Sequence, residues 1–386
     1  MNRNRRLVAS AAALVTLVLG ASAVPTGAAA AVEPGPKVAS SATAPLRLPA
    51  PTGAFAVGRQ ELHLVDRSRT DAWVPSAGAR ELMVSLYYPA RPGTGSAVSP
   101  YLKVQEAQAL LDGLGYAKVI AAEELAETQV NSRVQARPLG GKRPLVLLSP
   151  GFTLHRATLT VLAEELAGRG YVVAVMDHAY ESFGTEFPGG RTLGLHAPLT
   201  KDVPEVRAAD ASFVIDRLLD RRGPFAGIID RRRIGMGGHS IGGSSSAVAM
   251  ARDSRIKAGV NMDGGFKDAN PGAGMNGRPF LLLGTEANLR PGAGSHEEWL
   301  KAWAGLDGWK RWLAVAESGH FSFNDVPVLG GQRGLVSPQA PLPGKRGAEI
   351  TRDYVGAFFD RHLKGEREPL LDGPTAANPE VSFHRP

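Results

Sequence analysis

The chain contains no cysteine. That excludes a disulfide framework, a thiolate nucleophile, a cysteine-ligated zinc and a lipid-anchoring cysteine. Other metal chemistry has little to work with. His296-Glu297-Glu298-Trp299-Leu300 departs from H-E-x-x-H at its last position, and no histidine pair has ligand spacing, so no metal or other cofactor is expected. The phosphate-loop pattern G-x-x-x-x-G-K-[ST] is missing. Gly272, Gly274 and Gly277 spell G-x-G-x-x-G, but they follow a loop and precede a strand, the reverse of a dinucleotide site. No run of five lysines or arginines occurs. The densest cluster, Arg231 to Arg233, reads as a solvated strand entrance, so nucleic acid is not an expected partner.

Long apolar runs are also scarce. Leu7 to Gly20 is too short and too alanine-rich for a membrane span. Preceded by Arg3, Arg5 and Arg6 and followed by small residues, it has the layout of a secretory signal, with cleavage sites after Ala23 or Ala31. The Arg5-Arg6 pair hints at a twin-arginine route. The formal net charge of +7 counts these three arginines, which further weakens a nucleic-acid reading. Residues 1–31 are therefore expected to be a signal, 32–50 a poorly ordered Pro/Ala/Ser-rich linker, and 51–386 one domain of a secreted, extracellular protein. No integral membrane segment is expected once the signal is removed.

Within 51–386, two strand patterns come first. In "ELMVSLYYPA", Met83, Ser85 and Tyr87 face one way and Leu82, Val84 and Leu86 the other. A helical stretch follows over residues 101–128, with Leu110, Leu111 and Leu114 as its apolar stripe. Such a stripe is either core or a wall of a substrate pocket. From Arg143 onward, short apolar runs alternate with helix-length segments: "PLVLLS", "YVVAVMD", "RIGMGG", "IKAGVNMD", "PFLLLG" and "RWLAVA" are the strands. Strands that are apolar throughout and alternate with helices predict an α/β fold, a mostly parallel central sheet with helices on both faces.

"IGMGGHSIGGSSS" carries the chemistry. Gly238-His239-Ser240-Ile241-Gly242 fits G-x-S-x-G, with a strand leading in and a helix leading out. A serine on that turn is lifted above the sheet, and the flanking glycines keep side chains out of a crowded bend. The following N–H, on Ile241, then points at a developing oxyanion. A flexible glycine-rich loop is the plainer alternative, but its spacing puts Ser240 where a phosphate loop needs glycine.

The serine needs a base and the base needs an acid, in the order Ser, acid, His. His320, in "AESGHFSF", follows a strand on a glycine-bearing loop. His296 is the alternative, at what reads as the start of a surface helix, while His362 lies in the last helix and His384 in the tail. For the acid, Asp263 ends one apolar strand and Glu286 ends the next. Asp263 is preferred and Glu286 stays open, each also able to cap a loop. The second oxyanion donor is expected in Ser149-Pro150-Gly151-Phe152-Thr153, at the Phe152 N–H.

From about Glu81 onward the chain resembles the platelet-activating-factor acetylhydrolase family of α/β-hydrolase esterases. "LYYPA", "PLVLLSPGF", "YVVAVMDHAYES", "GHSIGG", "VNMDGG" and "SGHFSFND" carry the likeness, in the family's order. The resemblance implies an α/β-hydrolase fold, nucleophile Ser240, base His320, acid Asp263 rather than Glu286, and oxyanion donors Phe152 and Ile241. Pro150 departs from the family, which often has histidine there. The substrate implied is a lipid ester with a short acyl chain, a phospholipid among them, cleaved without calcium, with transient contact to lipid surfaces.

A more distant similarity is to secreted bacterial lipases and polyester hydrolases. Their later-strand aspartate falls near Asn288, which cannot be a charged partner. A triacylglycerol lipase or polyester hydrolase is thus one alternative. A non-catalytic lipid-binding protein on a hydrolase scaffold is another, and a serine peptidase a third, because fold alone does not set function.

Overall fold

Strands without a polar face must be covered on both sides, and that requirement organises the molecule. A computed structural model describes residues 44–266 and 274–386. The signal and residues 32–43 of the linker lie outside the described residues. The strands are β1 (Ala56–Thr70), β2 (Ala79–Ala90), β3 (Arg133–Val134), β4 (Arg143–Ser149), β5 (Val172–His178), β6 (Thr185–Phe187), β7 (Arg191–Leu193), β8 (Ile229–His239), β9 (Ile256–Met262), β10 (Phe280–Thr285), β11 (Lys310–Val315) and β12 (Val381–His384). The helices are α1 (Val104–Leu114), α2 (Ala122–Ala126), α3 (Thr160–Gly168), α4 (Val203–Leu219), α5 (Ile241–Arg252), α6 (His296–Gly305), α7 (Val326–Gly331) and α8 (Gly344–Phe359).

Ten strands form one sheet in the order β12-β11-β10-β9-β8-β4-β5-β2-β1-β3, while β6 and β7 pair as a separate hairpin. From β11 across to β5 every neighbour is parallel; β12 and β2 join antiparallel at either side. The period-two alternation of strands divides the core into two layers. Leu145 and Leu147 of β4 pack with α4, α5 and α6 on one face. Val146 and Leu148 pack with α3 and α8 on the other. The mostly parallel sheet with helices on both faces is the architecture expected.

Three details differ from the sequence reading. The last residues of the expected linker are packed: Leu46 and Leu48 are buried with Tyr101, Leu110 and Leu111, and this stretch exchanges backbone bonds with Gln129. Their side chains cover the apolar stripe of α1, which would otherwise meet water. The tail around His384 is strand β12, paired on β11. Helix α6 begins at His296 and keeps Glu297 and Lys301 in solvent, but His296 itself is on its buried face, with Trp299 fully buried against Trp312. No helix among the described residues is long and apolar enough to cross a membrane.

Candidate active site

Ser240 is the single residue between β8 and α5. Its φ of 56° and ψ of −128° lie in a region that costs an ordinary side chain on the order of 1–3 kcal/mol. Bonds on both sides hold it there: its N–H donates to the Met262 carbonyl at 2.8 Å, and its carbonyl accepts from the Gly243 N–H at 2.8 Å. Crowding explains the glycines. A Cβ on Gly242 would lie 2.0 Å from the Ser149 carbonyl oxygen, and one on Gly238 would lie 2.4 Å from the Gly242 carbonyl carbon.

The hydroxyl meets His320, whose Nε2 lies 2.9 Å from Ser240 Oγ. His320 Nδ1 is 2.6 Å from Asp263 Oδ2. A carboxylate can only accept here, so the proton sits on Nδ1, leaving Nε2 to accept from the serine. Asp263 Oδ1 is held by the Thr285 N–H at 3.0 Å and by Asn288 Nδ2 at 2.8 Å. The acid is nearly buried, whereas the His320 side chain is 46% exposed, so one end of the array is fixed and the other reaches solvent. Glu286 opens a short helical turn after β10 and makes no hydrogen bond to His320. His296 donates from Nδ1 to the Asn288 carbonyl at 2.8 Å, far from serving Ser240 as a base.

The oxyanion candidates flank the same serine. Ile241 is the first residue of α5, and Phe152 lies on the loop after β4. Neither N–H donates to another described residue, so neither is spent within the described fold. Two cavities open beside the array. One of about 440 Å³ is lined by His320, Phe321, Tyr116, Leu335 and Val336. Another of about 310 Å³ lies on the Ile241 side, with Ser244, Lys201 and Phe266. Of the helical stretch read as a pocket wall, Tyr116 reaches the first cavity while Leu110 and Leu111 are core.

Among the described residues, one acidic cluster (Asp360, Glu366 and Glu368) brings its oxygens within 4.8 Å of one another. The Lys364 ammonium sits on Asp360 and near Glu366, filling the place a cation would take.

Residues 40–187 match the family described as "Platelet-activating factor acetylhydrolase, isoform II". The chain is 30% identical over 381 residues to a protein of Arthroderma benhamiae named "Probable 1-alkyl-2-acetylglycerophosphocholine esterase", covering 90% of this chain and 96% of that one. The chain belongs to the platelet-activating factor acetylhydrolase family. It is a carboxylic ester hydrolase with the α/β-hydrolase fold. A "Platelet-activating factor acetylhydrolase" of Cavia porcellus is 22% identical over 58% of each chain. Among solved structures, a "Ferulic acid esterase" from Streptomyces cinnamoneus superposes with a TM-score of 0.79 and 41% identity, over 89% of this chain and all of that one.

This family member also uses residues that the motif reading passed over. Asn288, set aside because it carries no charge, is instead a donor to Asp263. His239, the variable position of the elbow, places Nε2 2.7 Å from the His320 carbonyl oxygen and so ties the histidine loop to the end of β8. Burial, and then the neighbouring His320, depress His239 to about 3, so its ring is neutral and donates from Nε2. Asp325 docks the segment after His320 onto the start of α3, accepting from the Thr160 N–H at 3.1 Å. The only sequence signal for these partners was their nearness to the motifs.

Proposed function

We propose that this protein is a secreted serine esterase that cleaves short-acyl esters of lipids through Ser240, His320 and Asp263. The observation that carries the reading is the unbroken line from Ser240 Oγ through the His320 ring to Asp263 Oδ2; the Phe152 and Ile241 N–H groups, with no partner among the described residues, support it. His320 Nε2 takes the serine proton as Oγ attacks the ester carbonyl. The oxygen, now negative, rests on the Phe152 and Ile241 N–H groups, and Asp263 stabilises the imidazolium. His320 protonates the leaving alcohol, an acyl-enzyme remains on Ser240, and His320 then activates the water that releases the acid. None of these steps calls on a metal.

The largely apolar cavity at His320 and the exposed Phe321 at its rim support a lipid-like substrate met at a lipid surface. Kinship with 1-alkyl-2-acetylglycerophosphocholine esterases supports a short acyl group. The 41% identity to a ferulic acid esterase favours a second reading, an ester of a bulky aromatic acid. Export is supported by the arginine-led apolar segment of residues 3–31. It predicts a mature chain in the culture medium beginning at Val24 or Val32.

A serine-directed alkyl phosphonate tests the chemistry: one equivalent is expected on Ser240, found by peptide mass, with turnover lost in proportion. Labelling elsewhere, or none, sinks the triad. Acetyl, long-acyl and feruloyl esters compared at equal leaving group decide the substrate. A preference for feruloyl over acetyl replaces the lipid reading with the aromatic one.

A further inference from the structure

A second serine, histidine and aspartate stand in line beneath the loop that carries Phe152. Ser149 Oγ lies 2.9 Å from His178 Nε2, and His178 Nδ1 lies 2.8 Å from Asp210 Oδ2. The proton sense follows from the acid. Burial would raise the Asp210 carboxyl, but the Arg80 guanidinium and the His178 hydrogen bond hold it well below the usual range, so it accepts from Nδ1–H. Burial first, and then Arg207, lower His178, whose neutral ring accepts the Ser149 hydroxyl at Nε2. One of the serine's two lone pairs is taken by Arg207 Nη1 at 3.0 Å. All four side chains are buried. With Ser149 fully buried, no ester reaches its oxygen, so this is no second catalytic centre.

Its placement gives it another use. The same Arg207 Nη1 donates to the Pro150 carbonyl at 2.5 Å. Arg207 Nε donates to Glu181 Oε2 at 2.7 Å, and the Glu181 carbonyl accepts the Thr153 N–H at 2.8 Å. One guanidinium fork thus grips the loop on both sides of Phe152, at Pro150 directly and at Thr153 through Glu181. Phe152 itself donates to no described residue; its peptide plane is held by the Leu154 N–H on the Gly151 carbonyl at 3.2 Å, and the two grips fix the loop on either side of that turn. We propose that Arg207 is a positioning residue for the oxyanion donor Phe152, and that Ser149, His178 and Asp210 are the buried line that holds it in register. This rests on the triad reading given above.

The geometry makes the effect specific. A displaced donor weakens the state that carries the oxyanion and leaves ground-state binding almost untouched. Full-length Arg207→Gln and Arg207→Lys are compared with the unsubstituted enzyme on p-nitrophenyl acetate, together with the affinity for an alkyl trifluoromethyl ketone, whose adduct on Ser240 places an oxyanion in the same hole. Arg207→Gln is expected to lose about 30- to 100-fold in kcat with KM within about threefold, and to bind the ketone more weakly by a similar factor. Arg207→Lys, a point charge without the fork, should fall between.

A folded Arg207→Gln with unchanged kcat, or one whose KM rises while ketone affinity stays, overturns the proposal. Should Arg207→Gln not fold, Ser149→Ala decides: a kcat loss of about tenfold, matched in ketone affinity, supports it, and no loss overturns it. Phosphonate labelling of Ser240 in the unsubstituted enzyme tests the triad separately, so the two failures are distinguishable.

Discussion

Two lines of serine, histidine and aspartate run in the same proton sense through this molecule, and they differ in almost everything else. Ser240 sits at a strained elbow with φ of 56°, and its histidine is half in solvent. Ser149 ends the regular strand β4, and its histidine is buried. The exposed line leaves the serine oxygen free. In the buried line an arginine donates to it. Residue identity and hydrogen-bond order are therefore insufficient to define a nucleophile. Access, backbone strain and a serine oxygen with no arginine on it separate the proposed chemistry from scaffolding.

The largest expected effect lies in the exposed line. Ser240→Ala should lower kcat on p-nitrophenyl acetate by about 10⁴- to 10⁶-fold with the fold intact by circular dichroism. A loss no greater than that of Ser149→Ala would erase the distinction between the two lines. Asp263→Asn comes next, with about 10³- to 10⁴-fold in kcat, because an amide facing Nδ1 no longer dictates the tautomer that Nε2 needs. Its thermal midpoint should barely move; activity within tenfold of the unsubstituted enzyme would return the acid's role to Glu286.

The two lines touch at one place, where Gly242 packs on the Ser149 carbonyl. Gly242→Ala puts a methyl group 2.0 Å from that oxygen and should destabilise the protein by about 1–3 kcal/mol in a urea melt. Retained stability would mean that the elbow and strand β4 can separate freely. The smallest effect is a pH slope. His239 is held at about 3 in the fold against an ordinary value of 6.5, so below pH 6.5 the unfolded chain takes up a proton that the folded chain refuses. Its contribution to stability is complete above pH 6.5 and is lost progressively as pH falls toward 3. His239→Gln should flatten the stability curve over that window by up to about 1.4 kcal/mol per pH unit, read from urea melts at pH 7, 5.5 and 4.5. A curve parallel to that of the unsubstituted protein would show that the ring is not kept neutral by burial.

What could be read in advance divides by distance along the chain. The elbow, the strands β4, β5 and β8 to β11, and a histidine on the loop after β11 were legible because each rests on a local pattern: a five-residue motif, an apolar run, a strand end. Asn288 was legible only as a residue that cannot be the charged partner; its part as a donor to Asp263 depends on the fold. Strand β12 was missed because four residues near a terminus carry no periodic signal, and the buried face of α6, with Trp299 inward, was outweighed by its charged start. Arg207, His178 and Asp210 read as ordinary members of a strand end and a helix.

From its order of residues alone, this chain determined a glycine-flanked serine between a strand and a helix, and the alternation that makes a two-faced sheet, since both follow from steric and hydrophobic rules acting over a few neighbours. Only the tertiary structure decided which acid meets His320, and which of two serine-led lines opens to solvent. Those depend on where strands 29 to 80 residues apart come to lie. Burial, which removes water from one line and leaves it at the other, is a property of the assembled layers.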